Sequence, residues 1–463
     1  MNSPSDGRVL SAKDSRGGSQ AYALLVAVTA AVGGLLFGYD TSVISGAILF
    51  VRRLFQLSSI QTELAVSIVL AGAALGAAVA GYFADRFGRK PVLIVDAVIF
   101  GVFAIVTGSA NGLALFLVAR VLVGVAVGVA SMITPLYIAE VAPARIRGAL
   151  VTLNQLAIVT GIVAAYYVDY AFSGAGNWRA MFISAVVPSV VLLIALVFLP
   201  ESPRWLATQE RLDEALTILS RVETAKEAQR DLQELRAVTQ TDSLSFGDLF
   251  AQRFRRPLLI GVLLAIFQQI TGVNTIIYYT PTILQMAGFQ SASSAILATV
   301  LVGTVNLGAT IISLLLLDRV GRRPLLLLGI AGMALSLTHL GYLFGVSNVP
   351  RNAILFDVIA YLACFAVGLG PIFWLLISEI YPTTVRGQAM SLSSVIIWVS
   401  DLLVTMTFLS LVESLGARAS FWLYAGACLV ALVFSARMVP ETKGRTLEEI
   451  ETSWRPESHD VGR

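Results

Sequence analysis

Residues 64–110 read LAVSIVLAGAALGAAVAGYFADRFGRKPVLIVDAVIFGVFAIVTGSA, two apolar runs separated by the basic turn DRFGRKP at 85–91. Each run approaches the roughly 20 residues that a helix needs to cross the hydrocarbon layer of a bilayer. The whole chain of 463 residues shares this character, since 57% of its residues are hydrophobic and 13% are charged. Soluble domains carry about 25% charged residues. The composition therefore indicates a polytopic membrane protein.

Apolar runs of this kind recur along the whole chain, and a polar segment at about 201–256 divides them into two groups of six. That segment contains the amphipathic stretch RLDEALTILSRVETAKEAQRDLQELR at 211–236, which predicts helices. The sequence thus predicts an all-α membrane protein with twelve spanning helices in two six-helix bundles. The predicted parts are a disordered tail at 1–20, bundles at 21–200 and 257–440, a helical linker at 201–256 and a tail at 441–463.

Positive charges collect in the loops on one side of the predicted helices. The loops DRFGRKP, APARIRG (142–148), DRVGRRP (318–324) and TTVRG (383–387) all fall on this side, with the linker. Lys and Arg are enriched in cytoplasmic loops of membrane proteins. We therefore expect this side and both termini to be cytoplasmic.

The two halves of the chain also repeat. DRFGRK at 85–90 recurs as DRVGRR at 318–323, and PESPR at 200–204 recurs as PETKGR at 440–445. A Glu–Arg pair seven residues apart occurs in both halves, as Glu140 with Arg147 and Glu379 with Arg386. A parallel repeat of six helices is typical of transporters whose two bundles rock about a site near the midplane of the membrane.

Several of these motifs resemble those of one protein family. GYFADRFGRK resembles the signature between helices two and three of the major facilitator superfamily. PESPRWL, PETKGRTLEEI, RVLVGVAVGV and QQITGVNTIIYY are similar to motifs of its sugar porter branch, which includes bacterial sugar–proton symporters and facilitative glucose transporters. The resemblance covers about residues 22–450 and implies the fold and the transport function of that branch, without a cofactor.

The acidic and basic residues of the repeated loops can form one ion-pair cluster in each half. The resemblance implies that these clusters latch the outward-open state and break as the protein opens inward. The alternative is a topology signal with surface ion pairs, each worth about 0–1 kcal/mol. The predicted clusters comprise Asp85, Arg86, Arg89, Glu140 and Arg147 in the first half and Asp318, Arg319, Arg322, Glu379 and Arg386 in the second.

Asp40, in FGYDTSVISG at 37–46, is the only charged residue of the first apolar run. A carboxylate at membrane depth costs about 2.5–3.5 kcal/mol on insertion scales, so we expect it to be paired, protonated or in a polar cavity. Arg120 in the fourth helix is the candidate partner. Burial favours the neutral carboxyl, whereas a nearby guanidinium favours the carboxylate, so a movable Arg120 could switch Asp40 between the two forms.

A static pair that fixes helix packing is the other interpretation of Asp40 and Arg120. The resemblance favours proton coupling, because sugar–proton symporters have an Asp followed by Thr at this position whereas facilitative glucose transporters have Asn. The membrane potential, worth about 2.3 kcal/mol per 100 mV for each charge moved, would then drive uphill import.

Amide side chains in the predicted helices point to a site for a neutral sugar. An amide offers both donors and acceptors to hydroxyl groups, and aromatic faces can cover apolar C–H patches. A single buried amide is more often a helix–helix contact, but five amides on three helices favour a cavity. By resemblance, the residues at positions where family members contact sugar are Gln155, Gln268, Gln269, Asn274, Asn306, Trp374 and Trp398. The predicted substrate site adds Phe37, Ile158, Ile162, Tyr279 and Gly370.

Departures from the family pattern leave the identity of the sugar open. Ile162 replaces a second Gln of the bacterial xylose symporter, and Ile397 replaces an Asn or Gln that commonly contacts substrate. Ala366 replaces a Glu of the glucose facilitators. Asp401 is often Asn in relatives, and it could be a packing residue, a second titratable group or a polyol contact. His339 is expected to be structural.

The resulting hypothesis is a proton-coupled monosaccharide importer of a bacterial inner membrane, monomeric and surrounded by lipid. Its alternatives are an uncoupled sugar facilitator and a symporter of polyols such as inositol. A non-transporting sugar sensor is disfavoured by the short segment after the last helix. Enzyme and nucleic-acid motifs are lacking, and Cys364 and Cys428 lie in apolar runs that predict buried thiols and no metal site.

Overall fold

The computed structural model describes residues 20–143, 145–239, 246–347, 351–382, 384–444 and 449–450. Within these ranges the regular structure is helical, and twelve segments are long and apolar enough to cross a membrane, which confirms the predicted fold class. The α-helices are α1 Gln20–Leu54, α2 Ser59–Phe87, α3 Arg89–Ser109, α4 Leu113–Val141, α5 Arg147–Ser173, α6 Trp178–Ile183, α7 Val186–Phe198, α8 Pro203–Thr208, α9 Leu212–Val222, α10 Ala225–Thr239, α11 Arg255–Ile270, α12 Val273–Met286, α13 Ala292–Val320, α14 Arg322–Leu343, α15 Arg351–Val367, α16 Leu369–Ile380, α17 Arg386–Thr405 and α18 Phe408–Met438.

Three of the spans consist of two separate helices, and α18 is kinked at Gly416, whose φ of 82° is not helical. The pairs α6 and α7, α11 and α12, and α15 and α16 form the sixth, seventh and tenth spans. The break in the seventh span falls at Gly272, whose φ of 89° lies in the left-handed region that non-glycine residues avoid. Main-chain groups at such a break are tolerated at membrane depth only where protein or a cavity surrounds them.

Small residues let the helices of the first bundle pack closely. α4 lies along α2 so tightly that a Cβ atom added to Gly124 would overlap the carbonyl oxygen of Val69. A Cβ atom added to Gly161 of α5 would likewise overlap the carbonyl oxygen of Leu35 in α1. Close backbone approach of this kind is how helices associate in lipid, where hydrophobic burial supplies little driving force between them.

The linker residues form helices, of which α8 and α9 pack beside the first bundle and α10 packs on α8 and α9. Trp205 Nε1 of α8 donates to the carbonyl oxygen of Asp85, 2.8 Å away. The guanidinium of Arg221 in α9 lies 6.0 Å from the ring centroid of Tyr22 in α1. The predicted tails at 1–20 and 441–463 lie mostly outside the described residues.

The two bundles meet at the end of the molecule away from the basic loops, which we call the opposite side; the end that carries 85–91 and 318–324 is the basic side. Glu63 of α2 accepts hydrogen bonds from both the backbone N–H and the hydroxyl of Ser410 in α18, each at 2.7 Å. The hydroxyl of Tyr166 in α5 donates to the carbonyl oxygen of Ile277 in α12 at 3.0 Å. These contacts join the bundles on the opposite side.

Toward the basic side the bundles separate. Every residue of α5 from Val151 to Ile158 is partly exposed, so no face of this helix segment is sealed by a neighbour. Further along α5, toward the opposite side, Gly161, Ile162 and Val163 are buried again. The molecule is therefore closed on the opposite side and open toward the basic side.

Candidate functional site

An ion-pair cluster forms at the basic side of the first bundle. Arg89 makes a two-pronged contact with Glu140, with Nε 2.8 Å from Oε2 and Nη2 3.0 Å from Oε1. Arg89 Nη1 also lies 3.1 Å from the carboxylate of Asp85. The side chains of Arg89 and Glu140 are 8% and 3% exposed, so this pair is desolvated, unlike ordinary surface pairs.

Glu201 completes this cluster by capping α3. Its carboxylate accepts the backbone N–H groups of Arg89 at 3.0 Å and Lys90 at 3.2 Å, at the positive end of the helix dipole. Gly88 precedes them with φ of 98°, and a Cβ atom there would overlap the Glu201 carboxylate. The hydroxyl of Ser202 donates to Glu140 at 2.6 Å, which ties the cap to the ion pair.

The second bundle repeats this arrangement. Arg322 Nη2 lies 3.2 Å from Glu379 Oε1, and Glu441 accepts the N–H groups of Arg322 and Arg323, both at 3.1 Å. Gly321 has φ of 105°, and the hydroxyl of Thr442 donates to Glu379 at 2.5 Å. The two basic-side clusters therefore share one design: an Arg–Glu pair, a glycine turn and a capping glutamate.

The environments of the two capping glutamates differ. Burial raises the pKa of Glu201, and the hydrogen bonds from Ser202, Lys90 and Arg89 oppose this shift. Burial acts in the same direction on Glu441, but hydrogen bonds from four backbone N–H groups overcome it and lower the pKa of that carboxyl. The cap of the second bundle consequently favours the charged form more strongly.

The other residues of the predicted clusters take different positions, and their part in a latch stays a prediction. Arg86 donates from Nη1 to the hydroxyl of Tyr82 at 2.9 Å instead of joining the cluster, since α2 directs it away from Glu140. Arg147 and Arg319 are exposed, and Arg147 is the first residue of α5. Arg386 donates from Nε to the carbonyl oxygen of Tyr381 at 3.2 Å. The side chain of Asp318 lies outside the described residues.

The glutamates at 201 and 441 were not among the predicted cluster residues. The signal that could have found them is the repeat of PESPR as PETKGR, which places a glutamate after the sixth and twelfth spans alike. An acidic side chain after a span can reach the N-terminus of a neighbouring helix, where unpaired N–H groups favour an anion.

Asp40 and Arg120 form a buried ion pair inside the first bundle. Arg120 Nη1 lies 2.7 Å from Oδ1 and 2.8 Å from Oδ2 of Asp40, and the two residues are 0% and 2% exposed. The guanidinium also lies 5.4 Å from the ring centroid of Phe182. Its Nε and Nη2 atoms are buried and have no hydrogen-bond partner among the described residues. The pair thus uses one of the three guanidinium nitrogens.

Polar side chains of the predicted substrate site face the space between the bundles. The amides of Gln155, Gln268 and Asn306 make no hydrogen bond within the part of the chain that the structure describes. Gln155 is half-exposed in the open segment of α5, and Gln268 and Asn306 are each 5% exposed. Desolvated amides without protein partners are costly unless water or a ligand satisfies them.

A second group of polar residues links the broken seventh span to α17. Asn274 Nδ2 donates to Gln269 Oε1 at 3.0 Å and to Asp401 Oδ2 at 2.6 Å. The hydroxyl of Tyr278 also donates to Asp401 Oδ2, at 3.1 Å, and the hydroxyl of Thr405 donates to Asp401 Oδ1 at 2.9 Å. Asp401, for which the sequence left three roles open, therefore contacts Asn274 of the predicted substrate site.

Aromatic side chains border the same space. The rings of Phe37 in α1 and Trp398 in α17 lie 5.1 Å apart across the two bundles. Trp374 in α16 is half-exposed and packs edge-on against Phe373, with centroids 5.1 Å apart. Ile158 is half-exposed in the open segment of α5. These residues can cover the apolar parts of a bound molecule.

Three residues of the predicted site are packed away from this space. Tyr279 is 0% exposed, with its ring 5.1 Å from that of Phe408, because the helical phase of α12 turns the neighbouring Tyr278 toward Asp401 instead. Ile162 is 7% exposed and lies beyond the open segment of α5. Gly370 is buried against Phe365 at the start of α16.

His339 contacts residues of α14 and α15. Its Nδ1 lies 2.8 Å from Oδ2 of Asp357 in α15, and its ring stacks on that of Tyr342 at a centroid distance of 6.4 Å. The structural role expected for this residue stays a prediction.

Comparisons with known proteins agree with this architecture. Residues 26–454 match the family model described as sugar (and other) transporter. The arabinose-proton symporter of Bacillus subtilis is 36% identical over 95% of this chain and 96% of its own. The galactose-proton symporter of Escherichia coli is 38% identical over 94% of both chains.

A solved structure of the xylose transporter of Escherichia coli, in an inward-open conformation, superposes with a TM-score of 0.82. The two sequences are 33% identical, and the match covers 94% of this chain and 100% of that one. The match of nearly the whole chain to one family model, together with the repeated bundles and their clusters, shows that this protein belongs to the sugar transporter family of the major facilitator superfamily.

Proposed function

We propose that this protein imports a monosaccharide together with a proton by alternating access. The observation that carries the proposal is the buried ion pair between Asp40 and Arg120, beside a space lined with unpartnered amides. A transporter without coupling needs no titratable group at membrane depth, where an ionisable side chain is costly and usually functional. The relatives named as arabinose- and galactose-proton symporters support the same activity.

The geometry of the pair suits a proton switch. Protonation of Asp40 removes the charge that holds Arg120, and removing one partner of a buried pair costs about 3–5 kcal/mol. Two nitrogens of Arg120 have no hydrogen-bond partner among the described residues, so its guanidinium has donors ready for a different arrangement. The free energy of forming or breaking this ion pair can therefore favour one packing arrangement of the helices of the first bundle over another.

The substrate side of the proposal rests on neutral hydrogen-bonding groups. The free amides of Gln155, Gln268 and Asn306 can bind sugar hydroxyls as donors and acceptors. The rings of Phe37 and Trp398 can cover a sugar's C–H surface. A site of this kind binds and releases its ligand unchanged, so the protein acts as a transporter and not as an enzyme.

We assign the basic side to the cytoplasm, because Lys and Arg favour cytoplasmic loops. The open state described above is then inward-facing, both termini are cytoplasmic, and the protein lies in a bacterial inner membrane. The bundles at 21–200 and 257–440 move as units about the central site. One chain contains both bundles and the complete site, so the transporting unit is a monomer in lipid.

Transport into proteoliposomes tests the proposal. The purified protein is reconstituted, and labelled glucose, galactose, xylose, arabinose and inositol are offered with and without an inward proton gradient. Accumulation of a monosaccharide only with the gradient supports symport. Equilibration unaffected by the gradient identifies a facilitator, gradient-driven uptake of inositol alone identifies a polyol symporter, and no uptake of any of these compounds overturns the sugar assignment.

A further inference from the structure

Asp401 holds the amide of Asn274 in one orientation. An amide nitrogen has only hydrogens to offer, and an ionised carboxylate only accepts. Asn274 Nδ2 lies between two acceptors, Asp401 Oδ2 at 2.6 Å and Gln269 Oε1 at 3.0 Å. Both amide hydrogens are therefore used, and rotating the amide by half a turn would bring its oxygen against the Asp401 carboxylate.

The remaining polar atom of Asn274 is its carbonyl oxygen. Asn274 is the one partly exposed residue in the run from Thr271 to Pro281, in which the others are buried. No hydrogen bond to its Oδ1 occurs within the described residues. The exposed part of Asn274 is therefore a hydrogen-bond acceptor facing the space between the bundles.

Gln269 presents the complementary group. Its Oε1 is occupied by Asn274, so its amide hydrogens are left for a ligand. A hydroxyl group that donates to Asn274 and accepts from Gln269 fits both atoms at once. A fluorine atom fits only Gln269, and a hydrogen atom fits neither.

From this geometry we propose that Asp401 is a specificity-determining positioning residue: it fixes Asn274 as an acceptor, so that one position of the sugar must carry a hydroxyl donor. This inference rests on the proposed sugar transport. Asn at position 401 would lack this restriction, because its amide can present either an oxygen or hydrogens to Asn274. The carboxylate thus excludes a second arrangement of the site, which is how specificity is often built.

The other contacts of Asp401 show why its own orientation is stable. Tyr278 and Thr405 donate to its two oxygens, so the carboxylate is held from α12 and from within α17. Thr405 contacts only the oxygen that is turned away from Asn274. Thr405→Val therefore serves as a control that removes a hydrogen bond from Asp401 and keeps the Asn274 contact.

The test compares binding of deoxy and deoxyfluoro analogues of the sugar that binds best in the uptake screen. For the wild type, we expect one ring position at which both analogues bind about tenfold or more weakly than the parent, because a site built for a hydroxyl rejects analogues without it. In Asp401→Asn the fluoro analogue at that position should recover relative to the parent. In Thr405→Val the selectivity should match the wild type.

The outcomes separate this inference from the proposed function. If Asp401→Asn lowers affinity for the parent and all analogues by the same factor, Asp401 is merely structural and the inference is wrong. If the wild type accepts the fluoro analogue at every position as well as the parent, no acceptor is enforced and the inference is also wrong. If the wild type binds no sugar at all, the proposed function itself fails.

Discussion

Glu63 and Ser410 hold the opposite side closed through both oxygens of one carboxylate. The backbone N–H and the hydroxyl of Ser410 each lie 2.7 Å from Glu63, which is 1% exposed. Glu63 belongs to the first bundle and Ser410 to the second, so the contact must break when that side opens. Hydrogen bonds to a charged group contribute about 1.5–3 kcal/mol each.

We therefore expect Glu63→Gln to shift the molecule toward the state that is open on the opposite side. Gln keeps the size of the side chain but loses the charge that strengthens both hydrogen bonds. Spin labels at Ser109 and Gln290, which are exposed at that side of the two bundles, would report a larger share of long distances.

The control for this shift lies one turn along α18. Ser414 donates to the carbonyl oxygen of Ser410 inside the helix and makes no hydrogen bond to the first bundle among the described residues. Ser414→Ala should leave the distance distribution unchanged, whereas Ser410→Ala should shift it less than Glu63→Gln, since the backbone N–H remains. Equal distributions in Glu63→Gln and the wild type would show that other contacts hold this side closed.

Asp40→Asn should abolish sugar accumulation and preserve sugar exchange. For one proton per sugar, a gradient of one pH unit supports about tenfold accumulation, because one unit corresponds to about 1.36 kcal/mol. Asn neither binds nor releases a proton, so the sugar concentration inside the vesicles should only equal the concentration outside. Uptake with an imposed gradient and counterflow without one measure the two properties, and tenfold accumulation by the variant would assign coupling to another group.

Gln155→Ala and Gln268→Ala should weaken sugar binding without destabilising the protein. Neither amide has a hydrogen-bond partner within the described residues, so truncation removes a ligand contact and leaves no protein group unpaired. We expect Kd to rise about tenfold, because losing one hydrogen bond of about 1.4 kcal/mol weakens binding by that factor. Quenching of tryptophan fluorescence by sugar measures Kd, and thermal unfolding measures stability.

Ser393→Ala is the matched contrast to these amide variants. Ser393 shares a 2.7 Å hydrogen bond with the hydroxyl of Tyr381 in the second bundle and is 0% exposed. Its truncation should lower the unfolding temperature and leave Kd unchanged. Amide variants that lose stability but keep the wild-type Kd would mean that Gln155 and Gln268 serve packing.

The spans and the ion pair could be predicted because each depends on a strong local constraint. A long apolar run determines a spanning helix wherever it occurs, and a charge such as Asp40 at membrane depth requires a partner. Arg120 was the available cation within the apolar runs of the same bundle, and the structure brings the two into contact. These features follow from the bilayer more than from the details of packing.

Features that depend on helix phase and on conformational state could not be predicted. Tyr278 and Tyr279 are adjacent, so a helix turns them about 100° apart, and the sequence does not say which one meets Asp401. Glu140 and Arg147 are spaced like Glu379 and Arg386, yet Arg147 is exposed whereas Arg386 is partly buried. Spacing fixes which residues can meet, and the state of the transporter decides which of them do.

One methyl group added to the glycine turn of the first basic-side cluster should clearly destabilise the protein. Gly88 has φ of 98°, a conformation that costs other residues about 1–3 kcal/mol. Its added Cβ would also overlap the Glu201 carboxylate. We therefore expect Gly88→Ala to lower the unfolding temperature clearly and to weaken the cap on α3.

Gly81 provides the comparison for this variant, two turns earlier in α2. A Cβ atom added there meets nothing within 4 Å. Replacing a glycine inside a helix by alanine gains about 0.5–1 kcal/mol, so Gly81→Ala should be neutral or slightly stabilising. Unfolding followed by tryptophan fluorescence distinguishes the two, and equal midpoints would mean that the turn is able to relax.

The linker should bind the first bundle more weakly as pH rises. Glu223, between α9 and α10, has its pKa raised to about 7, first by burial and then by the charges of Asp231 and Glu227. A carboxyl whose pKa is higher in the folded state than in the unfolded state favours folding at low pH. For Glu223 this stabilisation is fully present below the unfolded-state pKa of 4.5 and is lost as pH rises through the folded-state pKa of about 7. Arg147 is the nearby positive charge that opposes the shift.

Hydrogen exchange of α9 and α10, corrected for its intrinsic pH dependence, measures this effect between about pH 5.5 and 8. The wild type should lose protection across this interval, and Glu223→Gln should keep it, since a neutral amide has no charge to bury. Glu227→Gln is a partial form of the same test. It removes one of the charges that raise the pKa of Glu223, so the loss of protection should begin at lower pH than in the wild type. Identical protection profiles for Glu223→Gln and the wild type would show that charge at Glu223 does not control how the linker binds.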